Sequence, residues 1–152
     1  MKTKIILTIL LFININISFS YAIGPEIFVQ STVNRASEIL SKNISKEEKI
    51  NKLKLIAKDT VDIKGVGFYS LGSMRKNLTD DQLSKYFELF EKYFLKSFSS
   101  RLSEYTNPKI EVQGKKVLNK NYTIVESILV ANLERPEVKI NWRIYTKDPE
   151  NL

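Results

Sequence analysis

Cysteine and histidine are both absent from the 152 residues. Without cysteine there is no disulfide scaffold, no thiol nucleophile, no thiolate metal ligand and no lipid-modified N-terminal cysteine. Without histidine the commonest general base and the commonest metal ligand are gone. Glycine (5), proline (4) and tryptophan (1) are sparse, and no repeat or low-complexity segment appears. Long hydrophobic runs are lacking except at the N-terminus. What remains is a chain long enough for one domain, with plentiful Phe and Tyr and an excess of lysine and arginine that gives a formal charge of +7.

The N-terminal run has the form of an export signal. Lys2 and Lys4 precede an apolar stretch from Ile5 to Ile17, broken by Thr8, Asn14 and Asn16. Ser20-Tyr21-Ala22 then places small residues where a signal peptidase needs them, which predicts a signal peptide over 1–22 and a cut after Ala22. The run is shorter than the roughly 20 residues of a spanning helix, so a membrane anchor is the weaker alternative. The mature chain, residues 23–152, is expected to be soluble outside the inner membrane. Cleavage removes two lysines and no acids, so the charge falls from +7 to +5. The basic residues are interleaved with Asp and Glu and do not cluster with aromatics, so nucleic acid is not an expected partner. An anionic membrane or an acidic protein suits the charge better.

The spacing of apolar residues predicts helices first. Phe28, Val29, Val33, Ala36, Ile39 and Leu40 form one helical stripe over 26–41. Ser45 with Glu48 is a capping box that opens a second helix, whose apolar face is Ile50, Leu53, Ile56 and Ala57, with Val61 beyond. A short helix or turn is expected around Val66 to Leu71, bounded by Gly65 and Gly72. Its Gly-x-Gly is no phosphate loop: no strand precedes it and no Gly-Lys-Ser/Thr follows.

Thr79 with Gln82 is a second capping box. From there Leu83, Phe87, Phe90, Phe94, Phe98, Leu102 and Tyr105 recur every three or four residues, widened by Tyr86, Leu89, Tyr93 and Leu95. A helix of about 25 residues follows, roughly 38 Å long, ended by Asn107-Pro108. Lys85, Lys92 and Lys96 mark its wet side and are expected to help docking. An apolar stripe at helical spacing is usually core. So many aromatics in a domain of this size also suit a cavity wall.

After Pro108 the period becomes two, predicting strands in "KIEVQGKKV", "NYTIVESILVANL" and "EVKINWRIY". A hairpin connected by Glu134–Glu137 would pair Leu133 with Val138, Ala131 with Ile140, Leu129 with Trp142 and Ser127 with Ile144. Val138, Ile140, Trp142 and Ile144 then share the covered face with Val125, Ser127, Leu129, Ala131 and Leu133. The fold class is α+β: N-terminal helices, including the long aromatic one, packed on one face of a small, curved antiparallel sheet. By this parity Phe90, Phe94 and Phe98 oppose Leu129, Ala131, Ile140 and Trp142.

Catalysis is not expected. Glu47/Glu48 and Asp80/Asp81 sit in the first turns of predicted helices, where they favour the helix dipole. Glu126 lies on the polar face of a strand. No nucleophile, base and orienter can be assembled without imidazole, and no metal or cofactor is implied.

The stretch "DTVDIKGVGFYSLGSMRKNLTDDQLSKYFELFEKYFLKSFSSRLSEY" resembles the MlaC, or toluene-tolerance auxiliary, family. Asp62, Val66, Leu71-Gly72, "TDDQ" and the run from Phe87 to Tyr105 stand where that family has its aspartate, its hydrophobic positions, its leucine–glycine pair, its acidic helix start and its aromatic helix. The pair "VESILVANLERPEVKINWRI" is similar to its sheet hairpin, and the order of elements agrees over about residues 26–145. Gly67 stands where the family often has alanine. The family continues past this hairpin with another strand and C-terminal helices, so a chain cut short at its C-terminus is expected.

The resemblance implies a periplasmic phospholipid shuttle in intermembrane lipid transport, maintaining outer-membrane asymmetry. Its partners would be an outer-membrane lipoprotein complex and an inner-membrane ABC transporter with a ring-shaped periplasmic subunit. Acyl tails would lie between sheet and helices, with the head group in solvent. Val66, Leu71, Phe90, Phe94, Phe98, Leu129, Ala131, Ile140 and Trp142 are the expected pocket. The alternative is a secreted α+β interaction module with a solid core and no lipid.

Overall fold

The computed structural model describes residues 23–133 and 135–146. The predicted signal peptide lies outside the described residues. Four α-helices precede three strands: α1 (Pro25–Ser41), α2 (Lys46–Thr60), α3 (Ile63–Ser70), α4 (Asp80–Leu102), β1 (Ile110–Asn119), β2 (Tyr122–Leu129) and β3 (Val138–Tyr145). A 3-10 segment, Gly72–Asn77, joins α3 to α4. Gly72 turns the chain there at φ 53°, a left-handed conformation that glycine adopts without a Cβ clash.

The caps fall where side-chain chemistry puts them. The Ser45 hydroxyl accepts from the Glu48 N–H at 3.1 Å. Thr79 and Gln82 make the full reciprocal box at the start of α4, a feature worth about 1 kcal/mol. At α3 the sequence expectation was too short. The Asp62 carboxylate accepts from the Gly65 N–H at 2.8 Å, so the helix begins at Ile63, three residues before Val66.

The sheet is antiparallel in the order β1-β2-β3. A bulge at Gln113, between the Val112 and Gly114 pairings, shifts β1 against β2, which bends and twists the strand. The β2–β3 register differs from the expected hairpin. Leu129 pairs with Val138, Ser127 with Ile140, Val125 with Trp142 and Thr123 with Ile144. The turn is made further back than Glu134–Glu137. The Asn132 side chain accepts from the Arg135 N–H at 2.8 Å, and the Asn132 N–H donates to the Arg135 carbonyl. Pro136 has no N–H to give a ladder. Ala131 and Leu133 therefore leave the sheet, and both are exposed. Every pairing moved by four positions, an even number, so the faces survive: Thr123, Val125, Ser127 and Leu129 are all buried on one side.

Among the described residues, two clusters of buried side chains stand out, with Leu40, Leu53 and Ile56 buried besides. In one, Val29 and Val33 of α1 cover Val125 of β2, with Phe28, Ile110, Val112, Trp142 and Ile144 packed around them. In the other, Ala57 of α2, Ile63 of α3 and Leu95 of α4 meet, flanked by Val61, Phe90, Phe94 and Phe98. The helix laid on the sheet is α1, while α4 packs chiefly against α2 and α3. Gln30 of α1 ties the helix to β1. Its amide accepts from the Val112 N–H at 3.2 Å and donates to the Ile110 carbonyl at 3.3 Å. Ion pairs Arg35–Asp59, Lys58–Glu91 and Lys115–Glu26 bridge α1 to α2, α2 to α4 and β1 to α1. All are partly solvated, worth at most about 1 kcal/mol each.

Candidate functional site

Tyr86, Phe90, Phe94 and Phe98 follow one another a helical turn apart along α4. Their ring centroids are spaced 5.6, 6.2 and 5.4 Å, and the last two contacts are stacked. All four rings are half-buried. The row is set by sequence spacing alone, since residues four apart on a helix are neighbours. Its upper end is locked from α3: the Tyr86 hydroxyl donates to the Gly67 carbonyl at 3.1 Å, and a Cβ on Gly67 would stand 2.9 Å from the Phe90 ring. Glycine at 67 is what lets α3 lie this close to the aromatic row.

The second apolar wall is the inner row of β3. Ile140, Trp142 and Ile144 alternate inward and are half-buried, while Lys139, Asn141 and Arg143 point away and are exposed. Helix α1 spreads over β1 and β2, and Trp142 and Ile144 pack against the cluster it makes with Val125. Trp142 is held in place by its indole N–H, which donates to the Ser127 hydroxyl at 2.7 Å.

The expected pocket residues thus fall in three places. Phe90, Phe94 and Phe98 flank the α2–α3–α4 cluster. Ile140 and Trp142 are half-buried on β3, with Leu129 buried where it pairs with Val138. Val66 is exposed on α3 and Leu71 is half-buried at its C-terminal end. Ala131 does not oppose Ile140, because the register places it past the end of β2. It lines, with Leu129, Tyr105 and Pro108, a small cavity of about 160 Å³ at the junction of α4 and the sheet. Arg135 closes that junction, its guanidinium 4.2 Å from the Tyr105 ring centre. A larger cleft of about 540 Å³ runs between α1 and β1, its wall a mix of apolar side chains, Pro108, Ile110 and Val112, and polar ones such as Gln30, Asn34 and Glu111.

Two carboxylates on the helices are held below their ordinary range by lysines. Glu88 is bracketed by Lys92 at 2.6 Å and Lys85 at 3.0 Å, and their hydrogen bonds, Lys92 first, hold its carboxyl down at about 2. Glu38 is likewise lowered by the hydrogen bond from Lys42. Both shifts run away from the range a general acid needs. Two of the three lysines expected to form a basic docking face are thereby committed to one glutamate. Among the described residues no group of three or more acids could hold a metal ion, and no helix is long and apolar enough to cross a membrane. The α1 contribution, Val29 and Val33, was visible only as a stripe. Nothing in the stripe says which face of which element it covers.

Comparisons with known proteins agree with this architecture. The MlaC protein family model matches residues 30–151. None of the curated proteins matches the sequence. Among solved structures, the chain is similar to a phospholipid-binding protein from Ralstonia solanacearum, determined in complex with a phospholipid. The TM-score is 0.65 and the identity 13%, over 84% of this chain and 73% of the other.

Proposed function

Because the chain belongs to the MlaC family, we propose that it binds a phospholipid and carries it between membranes through the periplasm, with the acyl chains between the α4 aromatic row and the inner row of β3. The observation that carries this proposal is the pair of half-buried apolar walls on separate core clusters. The Ralstonia protein's phospholipid complex supports it.

The physics of carriage fits these walls. Each methylene withdrawn from water is worth about 0.8 kcal/mol, so two acyl chains need a dry apolar slot more than they need polar contacts. The cavity of about 160 Å³ past the end of α4 is lined by neither row and is below the roughly 300–1,000 Å³ of pockets for drug-sized ligands, so the proposed slot forms as a lipid enters. The clusters share no buried residue. Val29, Val33 and Val125 stay packed on one side, and Ala57, Ile63 and Leu95 on the other. A lipid seated between the two clusters would therefore leave the buried residues of each in place. A shuttle of this kind would exchange lipid with an inner-membrane ABC transporter and its ring-shaped subunit, and with an outer-membrane lipoprotein complex.

A second reading has its own observation: Phe90, Phe94 and Phe98 also pack as the flank of a core, as in an interaction module without a ligand. Native mass spectrometry of the exported chain separates the two. Carriage predicts co-purified phospholipid, or its uptake by delipidated protein from labelled vesicles. A bare polypeptide mass with no uptake overturns carriage.

A further inference from the structure

Between Asp62 and Asp80 the chain carries Lys64, Arg75 and Lys76 and no acid. The same segment, α3 and the 3-10 turn after it, holds out large apolar side chains: Tyr69 is 78% exposed, Met74 65% and Phe68 42%. The cations and the rings are arranged together. The Arg75 guanidinium sits 4.8 Å from the centre of the Phe68 ring. Phe68 stacks on Phe87 of α4 at 6.1 Å, and the Lys64 ammonium lies 5.5 Å from the centre of Phe87. Among the described contacts these three cations make no ion pair with a carboxylate, unlike Lys85 and Lys92 nearby.

We infer that this surface docks the protein on an anionic lipid bilayer. Charge complementarity selects the occupant: cations without interleaved acids attract a negatively charged surface over about a Debye length. Exposed tyrosine, phenylalanine and methionine then enter the headgroup–acyl boundary, where a ring with one wet end is at home. An acidic protein partner would use the same charges, but it does not require a protruding Tyr69 and Met74. The inference does not rest on carriage, since attachment to a bilayer is read whether or not a lipid is extracted.

The test is sedimentation of the exported chain with vesicles, one set pure phosphatidylcholine and one set containing phosphatidylglycerol. Binding is expected to the anionic set, weakening as salt is raised. The variant Lys64→Glu/Arg75→Glu/Lys76→Glu is expected to lose about a hundredfold or more in partition. Tyr69→Ser/Met74→Ser, which changes exposed positions and is checked for an unchanged melting curve, is expected to lose about tenfold. Lys116→Glu/Lys120→Glu, around the β1–β2 turn, serves as the control and should bind as the parent. Equal binding to both vesicle sets, no binding to either, or an equal loss in the control overturns the inference. So does a loss through the charges alone, which marks a screened attraction without insertion. If the vesicles fail while lipid still co-purifies, this inference falls and carriage stands.

Discussion

The Trp142 indole donates to the Ser127 hydroxyl diagonally across a strand pair in which Trp142 itself lies opposite Val125. Ser127 is almost fully buried and its hydroxyl also points to the Ile140 carbonyl at 3.4 Å. The single tryptophan of the chain is thereby fixed by one side-chain oxygen at the margin of the sheet. Ser127→Ala leaves the indole N–H without that partner, and the expected cost is about 1–3 kcal/mol. Thermal melts will show the loss, and the tryptophan emission will broaden as the ring loses its fixed position. An unchanged melt and spectrum would mean that water replaces the hydroxyl at no cost.

Because Trp142 lies on the proposed acyl-chain wall, it is also the reporter for cargo. A phospholipid brominated along its acyl chains should quench Trp142 emission on uptake, while one brominated on its head group should not. Equal quenching by both would place the tails elsewhere.

Gly67 sets the separation of α3 from the aromatic row. Gly67→Ala gains up to about 1 kcal/mol of helix propensity but drives a methyl to 2.9 Å from the Phe90 ring. Overpacking of this kind costs typically about 1–3 kcal/mol, so a net loss is expected in denaturant unfolding. Gly67→Ala/Phe90→Leu should recover part of it, because the smaller side chain yields the space. If the single variant is more stable than the parent, the α3–α4 contact is looser than its geometry.

Glu88 predicts an acid-side effect. Its carboxyl titrates at about 2 in the fold, against an ordinary value of 4.5, so its contribution is present above pH about 4.5 and is lost as pH falls toward 2. Glu88→Gln should remove that contribution at neutral pH, a small one because the group is solvated and its pairs are screened, and should match the parent near pH 2. It should reduce the slope of stability with pH between about 4.5 and 2. Carbon-detected titration of the Glu88 carboxyl checks the midpoint directly, and an ordinary midpoint would refute the bracketed pairing.

Local signals carried most of the secondary structure. The caps at Ser45 and Thr79 and the aromatic spacing from Leu83 onward are side-chain chemistry within a few residues, and they fixed the helix starts. The strand faces were also legible, because parity depends only on period two and an error of four positions leaves it intact. The register was not, because it hangs on an Asx turn at Asn132 that competes with the more conspicuous "ERPE". Nor was the partner of the aromatic helix. An apolar stripe asks to be covered without naming its cover, and α1, with the weaker-looking Val29 and Val33, took the sheet. Of the expected pocket, the rings on α4 and the β3 row lie against different core clusters, while Ala131 moved to the junction with the turn.

Gln30 has a consequence for how the molecule avoids its own kind. Its amide occupies a donor and an acceptor of β1 as a neighbouring strand would, and the bulge at Gln113 twists the same edge. An incoming chain that tried to extend the sheet past β1 would have to displace this amide first. The opposite edge, β3, has no strand beyond it among the described residues. Sheet extension, whether by a further strand of the same polypeptide or by aggregation in a stressed sample, is therefore polar, proceeding from Val138–Tyr145 and not from Ile110–Asn119.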